Sequence, residues 1–397
     1  MSNSQGLYSS EFEHDSCGVG FVANINGINS HEIVQNGIEV LENLKHRGAV
    51  GADPKTGDGA GIMTQVPDKF LRRVCKKIKI ELPAKGNYGV GLVFLPVVAE
   101  DRHFIENLIE GIVNEEEQIF LGFRDVPYND SEIGKVAISV MPVFKHLLVA
   151  KNKTTNKKAF ERKLLVIRKR IGNKVSQIEI AQKNYFYICS LSSKTLIYKG
   201  QLMPEQLRNF FPDLNDKDYK SSIALVHSRY STNTFPTWAL AHPYRYIAHN
   251  GEINTLKGNT NWFNVREKQF KNSLLGKDLK KITPTIAPSK SDSAAFDNTL
   301  ELLIMAGRSL PHALMMMIPE AYTNDKNITG YKKDFYQYHS CLMEAWDGPS
   351  AICFSDGRYV GSILDRNGLR PLRYWVTDDS KIIMSSEVGP LKVDPKN

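Results

Sequence analysis

A run of small and apolar residues at positions 18–25 predicts a strand, and it closes in an Asn26-Gly27 turn. The period then changes. Ser30 is suited to cap a helix over about 31–45, with Ile33, Val40, Leu41 and Leu44 on one face. The pattern continues with a strand at 62–66, a helix at 68–78, a strand at 88–95 and a helix at 100–118. A strand at 136–149 and a basic helix at 159–171 follow. Three β-rich runs occupy 185–191, 195–198 and 222–228. Helical periods return at 259–275, 291–306, 311–321 and 335–345. The last quarter is strand-like again, at 350–354, 359–364, 370–376 and 381–386. Strands therefore arrive in neighbouring groups. That order favours antiparallel sheets covered by helices over a doubly wound parallel sheet.

Composition narrows the class. The chain has 397 residues, 42% hydrophobic and 10% aromatic, which fits a globular protein of one large domain or two. No apolar run approaches the roughly 20 residues that span a bilayer. The methionine-rich run at 313–318 ends at Pro319 and reads as a core helix. Residues 1–16 carry Glu11, Glu13, His14 and Asp15 and have no apolar core, so they do not form a secretory signal. A cytoplasmic location is expected, or the plastid stroma for an organellar protein. The five cysteines are widely spaced with no C-x-x-C pair, which gives no support to a disulfide framework, a zinc ribbon or an iron–sulfur run. The net charge of +8 comes with lysine concentrations at 145–174 and 268–281. They lack interleaved aromatics and are read as solvated faces, with no nucleic-acid partner. The glycines at 56–61 precede a strand, not a helix, and predict a tight turn instead of a phosphate cradle.

Chemistry concentrates elsewhere. Cys17 would become a first residue if the leader were cut after Ser16. A free α-amine titrates near 7.7–8.0 and can take the proton of its own thiol, which makes a base and a nucleophile of one residue. Ahead of it lies His227-Ser228-Arg229-Tyr230-Ser231-Thr232-Asn233-Thr234. Arg229 is suited to grip a carboxylate through two parallel bonds, and Thr232 and Asn233 add neutral hydrogen bonds. Asn250 and Gly251 can offer a side-chain amide and a backbone N–H to a developing oxyanion. His227, His242 and His249 are separated by fifteen and seven residues, which matches no short metal motif, so hydrogen-bonding histidines are expected. Asp292 opens a predicted helix. Its carboxylate suits either the helix start or a substrate ammonium.

Taken together, the ordered motifs point to a family. They are Cys17-Gly18-Val19-Gly20-Phe21, Lys45-His46-Arg47-Gly48, Thr56-Gly57-Asp58-Gly59, the Arg229 segment, His249-Asn250-Gly251-Glu252-Ile253-Asn254, Glu344-Ala345-Trp346-Asp347-Gly348-Pro349 and Asp365-Arg366-Asn367-Gly368-Leu369-Arg370-Pro371. This set resembles the amino-terminal glutaminase domain of the glutamate synthase large chain, a class II glutamine amidotransferase of the N-terminal nucleophile hydrolase superfamily. The resemblance runs from Cys17 to the end.

It implies an α+β fold of four layers, α-β-β-α, with two facing antiparallel sheets. It implies a cleaved leader at 1–16 and a glutaminase domain at 17–397. By the same resemblance Cys17 is the nucleophile, Asn250 and Gly251 form the oxyanion hole, and Arg229 holds the glutamine α-carboxylate. Asp292 contacts the α-amine, Thr232 and Asn233 line the substrate, and Arg47 supports the cysteine loop beside it. The family continues into a portion that binds FMN and an iron–sulfur cluster, whereas this sequence ends at Asn397. A fragment or a truncated gene is therefore expected, with no cofactor held by these residues. The implied partners are glutamine, the remaining synthase portion, and an electron-donating small subunit or ferredoxin, without a membrane. The competing expectation is a non-catalytic relic or a glutamine-binding regulatory module.

Overall fold

Alternation within the first strand decides which layer lies on each side of it. In the computed structural model, which describes residues 17–49, 53–229, 235–287 and 291–393, Val19, Phe21 and Ala23 turn one way and Gly18, Gly20 and Val22 the other. The elements run β1 (Gly18–Asn24), α1 (His31–Asn43), β2 (Ala60–Gln65), α2 (Asp68–Lys77), β3 (Tyr88–Leu95), α3 (Ala99–Glu115) and β4 (Ile119–Asp125). Next come α4 (Lys135–Ser139), β5 (Val143–Ala150), α5 (Lys157–Gln177), β6 (Tyr187–Ile188), β7 (Thr195–Gly200), α6 (Leu207–Phe210), β8 (Ile223–Ser228) and β9 (Ile247–Gly251). The chain closes with α7 (Leu256–Glu267), α8 (Asp292–Met305), α9 (Leu310–Met317), α10 (Gly330–Ser340), β10 (Ser350–Ser355), β11 (Val360–Leu364), β12 (Arg373–Val376) and β13 (Lys381–Ser385).

Six strands form one sheet in the order β12-β13-β1-β8-β2-β7, and three form another in the order β11-β10-β9. All pairings are antiparallel. Val19, Phe21, Met63, Ile197 and Leu225 of the first sheet pack against Ala248 and Cys353 of the second. Helix α1 covers the outer face of the first sheet, and α8 and α9 cover the second. The four-layer α-β-β-α arrangement is thus present. Helix α1 comes close because small residues meet there: a Cβ on Gly37 would lie 2.5 Å from the Ala224 Cβ. A further four-stranded sheet, β4-β5-β3-β6, packs one face on the α1 core and the other on α3 and α5. No helix among the described residues is long and apolar enough to cross a membrane.

Several boundaries differ from the sequence reading. The predicted strand at 136–149 begins as helix α4, and only Val143–Ala150 is extended. The N–H groups of Val136 and Ala137 bond to Asp53 Oδ2 and Thr56 Oγ1, partners some eighty residues away. Strands β4 and β9 had no separate prediction. The lysine-rich segments are only partly solvated faces. Glu116, whose side chain is fully buried, accepts from Lys163 Nζ at 2.8 Å, Lys281 Nζ at 2.9 Å and Arg170 Nη1 at 2.6 Å. These charges draw α5, the end of α3 and the 3-10 turn Gly276–Ile282 together. Replacing Glu116 with Gln should destabilise the protein by about 2 kcal/mol, since three cations lose a buried anion while remaining partly hydrated themselves. Urea unfolding checks this, and an unchanged midpoint would show that the network is energetically neutral.

Candidate functional site

Cys17 immediately precedes β1, in the strand pair that positions the rest of the site. Gly18 lies opposite Ser228 of β8, so the register runs on toward Cys17 and Arg229, the next residues of the two strands. Arg229 is 7% exposed, and its N–H donates to the Gly59 carbonyl at 2.8 Å. The glycine-rich turn therefore fastens the backbone beneath Arg229. Gly59 takes φ +143°, and a Cβ there would meet Ala241 at 3.0 Å. The glycines serve close approach of chain to chain, as the tight-turn reading expected.

Asn250 and Gly251 end β9, in the facing sheet. Ala248 and Asn250 share the strand face turned toward β1 and β8. Asn250 is 3% exposed, and its side-chain oxygen has no hydrogen-bond partner among the described residues. Such a buried amide with an unused polar atom is uncommon in a folded interior. Gly251 has φ +109°, and a Cβ would fall 1.8 Å from the Pro349 carbonyl oxygen. No other residue fits. The Trp346–Pro349 motif thus supplies the wall against which Gly251 turns, and Asn254 N–H donates to the Asp347 carbonyl at 2.8 Å. The Asp365 carboxylate accepts from the Ser350 N–H at 3.1 Å and the Leu369 N–H at 3.0 Å, and so ties the second motif to the start of β10.

Asp292 is the first residue of α8, but the cap is Ser291, whose hydroxyl accepts from Ala294 N–H at 3.3 Å. Asp292 instead reaches the β9 end: its Oδ2 accepts from the Ile253 N–H at 3.0 Å. Arg47 lies against the cysteine segment, since a Cβ on Gly18 would be 3.4 Å from the Arg47 Cβ. Its Nε pairs with Glu387, which also takes His46 Nε2 at 2.8 Å. Cys17, Arg229, Asn250, Gly251, Asp292 and Arg47 therefore gather at one end of the facing sheets. Thr232 and Asn233 lie outside the described residues.

Three of the other four cysteines are chemically different. Burial pushes the thiols of Cys75, Cys189 and Cys353 up to about 11, 12 and 12, so they stay protonated, while Cys17 is partly exposed and Cys341 exposed. Among the described residues no group of three or more His, Cys, Asp or Glu is placed to hold a metal ion. The three histidines pack on one another: the rings of His227 and His242 stack 4.3 Å apart, and those of His242 and His249 meet edge to face at 5.1 Å. Burial holds all three below the ordinary imidazole value, His227 at about 3 and His242 well below 6.5.

The sequence reading gave no role to Lys199, Arg245, Asp347, Asp365 or Glu387. Lys199 is fully buried and donates to the carbonyls of Ala239 at 3.0 Å and Ala241 at 2.7 Å. It thereby holds the segment leading from Arg229 to β9. Burial lowers its ammonium to about 8. Arg245 meets Asp297 at 2.7 Å and Glu301 at 3.2 Å, which docks the entry of β9 on α8. A lysine inside a strand carries no mark of such a partner.

A family model for class II glutamine amidotransferases matches residues 17–397, beginning at Cys17. The chain belongs to that family. The glutamate synthase [NADPH] large chain of Bacillus subtilis is 50% identical over 398 residues, covering 100% of this chain and 26% of the relative. Glutamate synthase [NADH] of Schizosaccharomyces pombe is 45% identical over 100% of this chain and 19% of its own length. The ferredoxin-dependent glutamate synthase of Pyropia yezoensis is 40% identical over 100% and 26%. The chain thus spans about a fifth to a quarter of the length of these relatives, at their amino-terminal portion.

Neutral buried histidines make this amidotransferase acid-sensitive. An unfolded imidazole titrates near 6.5 and folded His227 near 3, so between these values the unfolded chain binds the extra proton. Stability is then lost as pH falls through that window, by about 1.4 kcal/mol per pH unit for one fully differential proton. Replacing His227 with Gln should make the fall in urea midpoint between pH 7 and pH 5 shallower. An equal fall would mean that His227 is charged in the fold.

Proposed function

We propose that this domain hydrolyses the side-chain amide of glutamine through a Cys17 thioester. What supports the reading is that the β1–β8 register sets Cys17 beside Arg229 while His227 of β8 bonds the His249 carbonyl of β9, next to Asn250 and Gly251, in a family whose match begins at Cys17. Removal of residues 1–16 gives Cys17 its free α-amine. The amine takes the thiol proton, and the thiolate attacks the amide carbon. Asn250, through its side chain, and Gly251, through its backbone N–H, meet the tetrahedral oxyanion. The α-ammonium returns its proton to the departing nitrogen, and ammonia leaves. Water activated by the same amine then cleaves the thioester and releases glutamate.

Arg229 holds the substrate α-carboxylate and Asp292 its α-ammonium, with Thr232 and Asn233 adding neutral contacts. Arg47, braced by Glu387, steadies the cysteine segment. In the whole protein the ammonia passes to 2-oxoglutarate in the remaining synthase portion, where reduction yields a second glutamate. FMN and an iron–sulfur cluster would supply the electrons there, drawn from a small subunit or ferredoxin. The described residues of this domain offer no cluster of ligands for such a centre. The cytoplasm, or a plastid stroma, is the compartment this reading expects.

Two measurements test the proposal. Mass analysis of active protein should show Cys17 at the amino terminus, and Cys17→Ala should abolish ammonia release while preserving the circular dichroism spectrum. Activity in protein that retains residues 1–16 would sink the mechanism. Asn250→Ala should lower kcat by about 10²–10³ with little change in KM, because an oxyanion donor acts in the transition state. A raised KM at normal kcat would instead assign Asn250 to ground-state binding.

A further inference from the structure

The groups that contact glutamine in the proposed mechanism sit on three different elements. Arg229 follows β8, Asn250 ends β9 and Asp292 starts α8. Their relative placement must hold to a fraction of an ångström for the reaction to proceed. One continuous set of hydrogen bonds joins the three elements. His227 of β8 donates through Nε2 to the His249 carbonyl of β9 at 2.8 Å. The ring of His249 reaches Ser293 Oγ of α8 through its own Nε2 at 2.6 Å. Ser293 Oγ in turn lies 3.1 Å from Asp292 Oδ1, which also accepts the Ser293 N–H at 2.7 Å.

The direction of each bond follows from its terminus. A carbonyl only accepts, so His227 carries its proton on Nε2. A carboxylate only accepts, so the Ser293 hydroxyl donates to Asp292 and must accept from His249. His249 is then also protonated on Nε2. The Nδ1 atoms of both rings are buried without a partner among the described residues, as bare lone pairs tolerate better than N–H groups would. His227, His249 and Ser293 are all buried, at 0%, 4% and 3% exposure. Each is one or two residues from a group that touches substrate.

We propose that His227, His249 and Ser293 form a brace that positions the ammonium-binding Asp292 against the oxyanion strand and against the strand that leads to Arg229. The inference rests on the glutaminase reading above. These are positioning residues, and none touches glutamine. Ser293 aims Asp292 directly. It holds Oδ1 with two hydrogen bonds, from its own N–H and hydroxyl, and so fixes the direction of the carboxylate that would meet an ammonium.

The experiment compares glutamine with its des-amino analogue, 4-carbamoylbutanoate, using the processed full chain. Ser293→Ala should raise KM for glutamine about tenfold and leave kcat within about threefold, with the preference for glutamine over the analogue falling by the same tenfold. Ser293→Thr keeps the hydroxyl and should restore both. A Ser293→Ala enzyme with unaltered preference, or a Ser293→Thr enzyme as impaired as Ser293→Ala, overturns the brace. Asp292→Asn separates the two claims. If it leaves the preference intact, the ammonium reading of Asp292 has failed. If it abolishes the preference while Ser293→Ala keeps it, only the brace has failed. Should Ser293→Ala not fold, His249→Gln offers an amide donor near the Nε2 position and should keep the wild-type KM. His249→Leu should repeat the tenfold rise, and equal KM values in these two variants overturn the proposal.

Discussion

Pairing between β1 and β8 joins the strand that follows Cys17 to the middle of the chain, and the site depends on it. Gly18 to Ala23 run against Ile223 to Ser228. The pairing delivers Cys17 and Arg229 together at one end of the sheet. Because side chains alternate, the register also determines that Val19, Phe21 and Ala23 face the second sheet. A slip of one residue would turn that face toward α1. Glycines guard the other face: a Cβ on Gly20 would lie 2.7 Å from the Met384 carbonyl oxygen and 3.0 Å from the Val40 side chain. Packing and chemistry at the head of β1 therefore rest on one register.

The second sheet is held to the first by more than apolar contact. Around β8 and β9 the buried surface includes three imidazoles in ring contact, the Lys199 ammonium and the Arg245 guanidinium. His227 meets the His249 carbonyl, His249 meets the Ser293 hydroxyl, and Lys199 meets the Ala239 and Ala241 carbonyls. Lys199 has two carbonyls and two tyrosine rings around it, at 5.0 Å for Tyr187 and 4.7 Å for Tyr244. Buried polar groups of this kind contribute little net stability but penalise every alternative arrangement that leaves them unpaired. That is the property a site assembled from separate strands requires.

Backbone crowding does comparable work around Gly251. The Pro349 carbonyl occupies the space of its missing side chain, and the same carbonyl accepts the Glu252 N–H at 3.1 Å. Asp347 and Asp365 then tie the neighbouring loops by hydrogen bonds to Arg366, Ser350 and Leu369. Two motifs a hundred residues beyond β9 thus exist to shape the turn at its end.

Much of this was legible along the chain. The run after Cys17, the Ser30 cap, the strand over Tyr88–Leu95 and the grouped strands of the last quarter are local patterns, and they formed where period and capping required. The motifs around Cys17, Arg229, Asn250 and Asp292 named the candidate chemistry because each residue type has a restricted set of uses. What the sequence could not state was partnership across long separations. Helix α4 replaced the start of a predicted strand because Asp53 and Thr56 reach its free N–H groups. Lysines read as solvated surround the buried Glu116, and Asp292 leaves capping to Ser291 and turns to Ile253. Local propensity is encoded in neighbouring residues, whereas a buried charge or an unpaired N–H selects its partner only after the layers have closed.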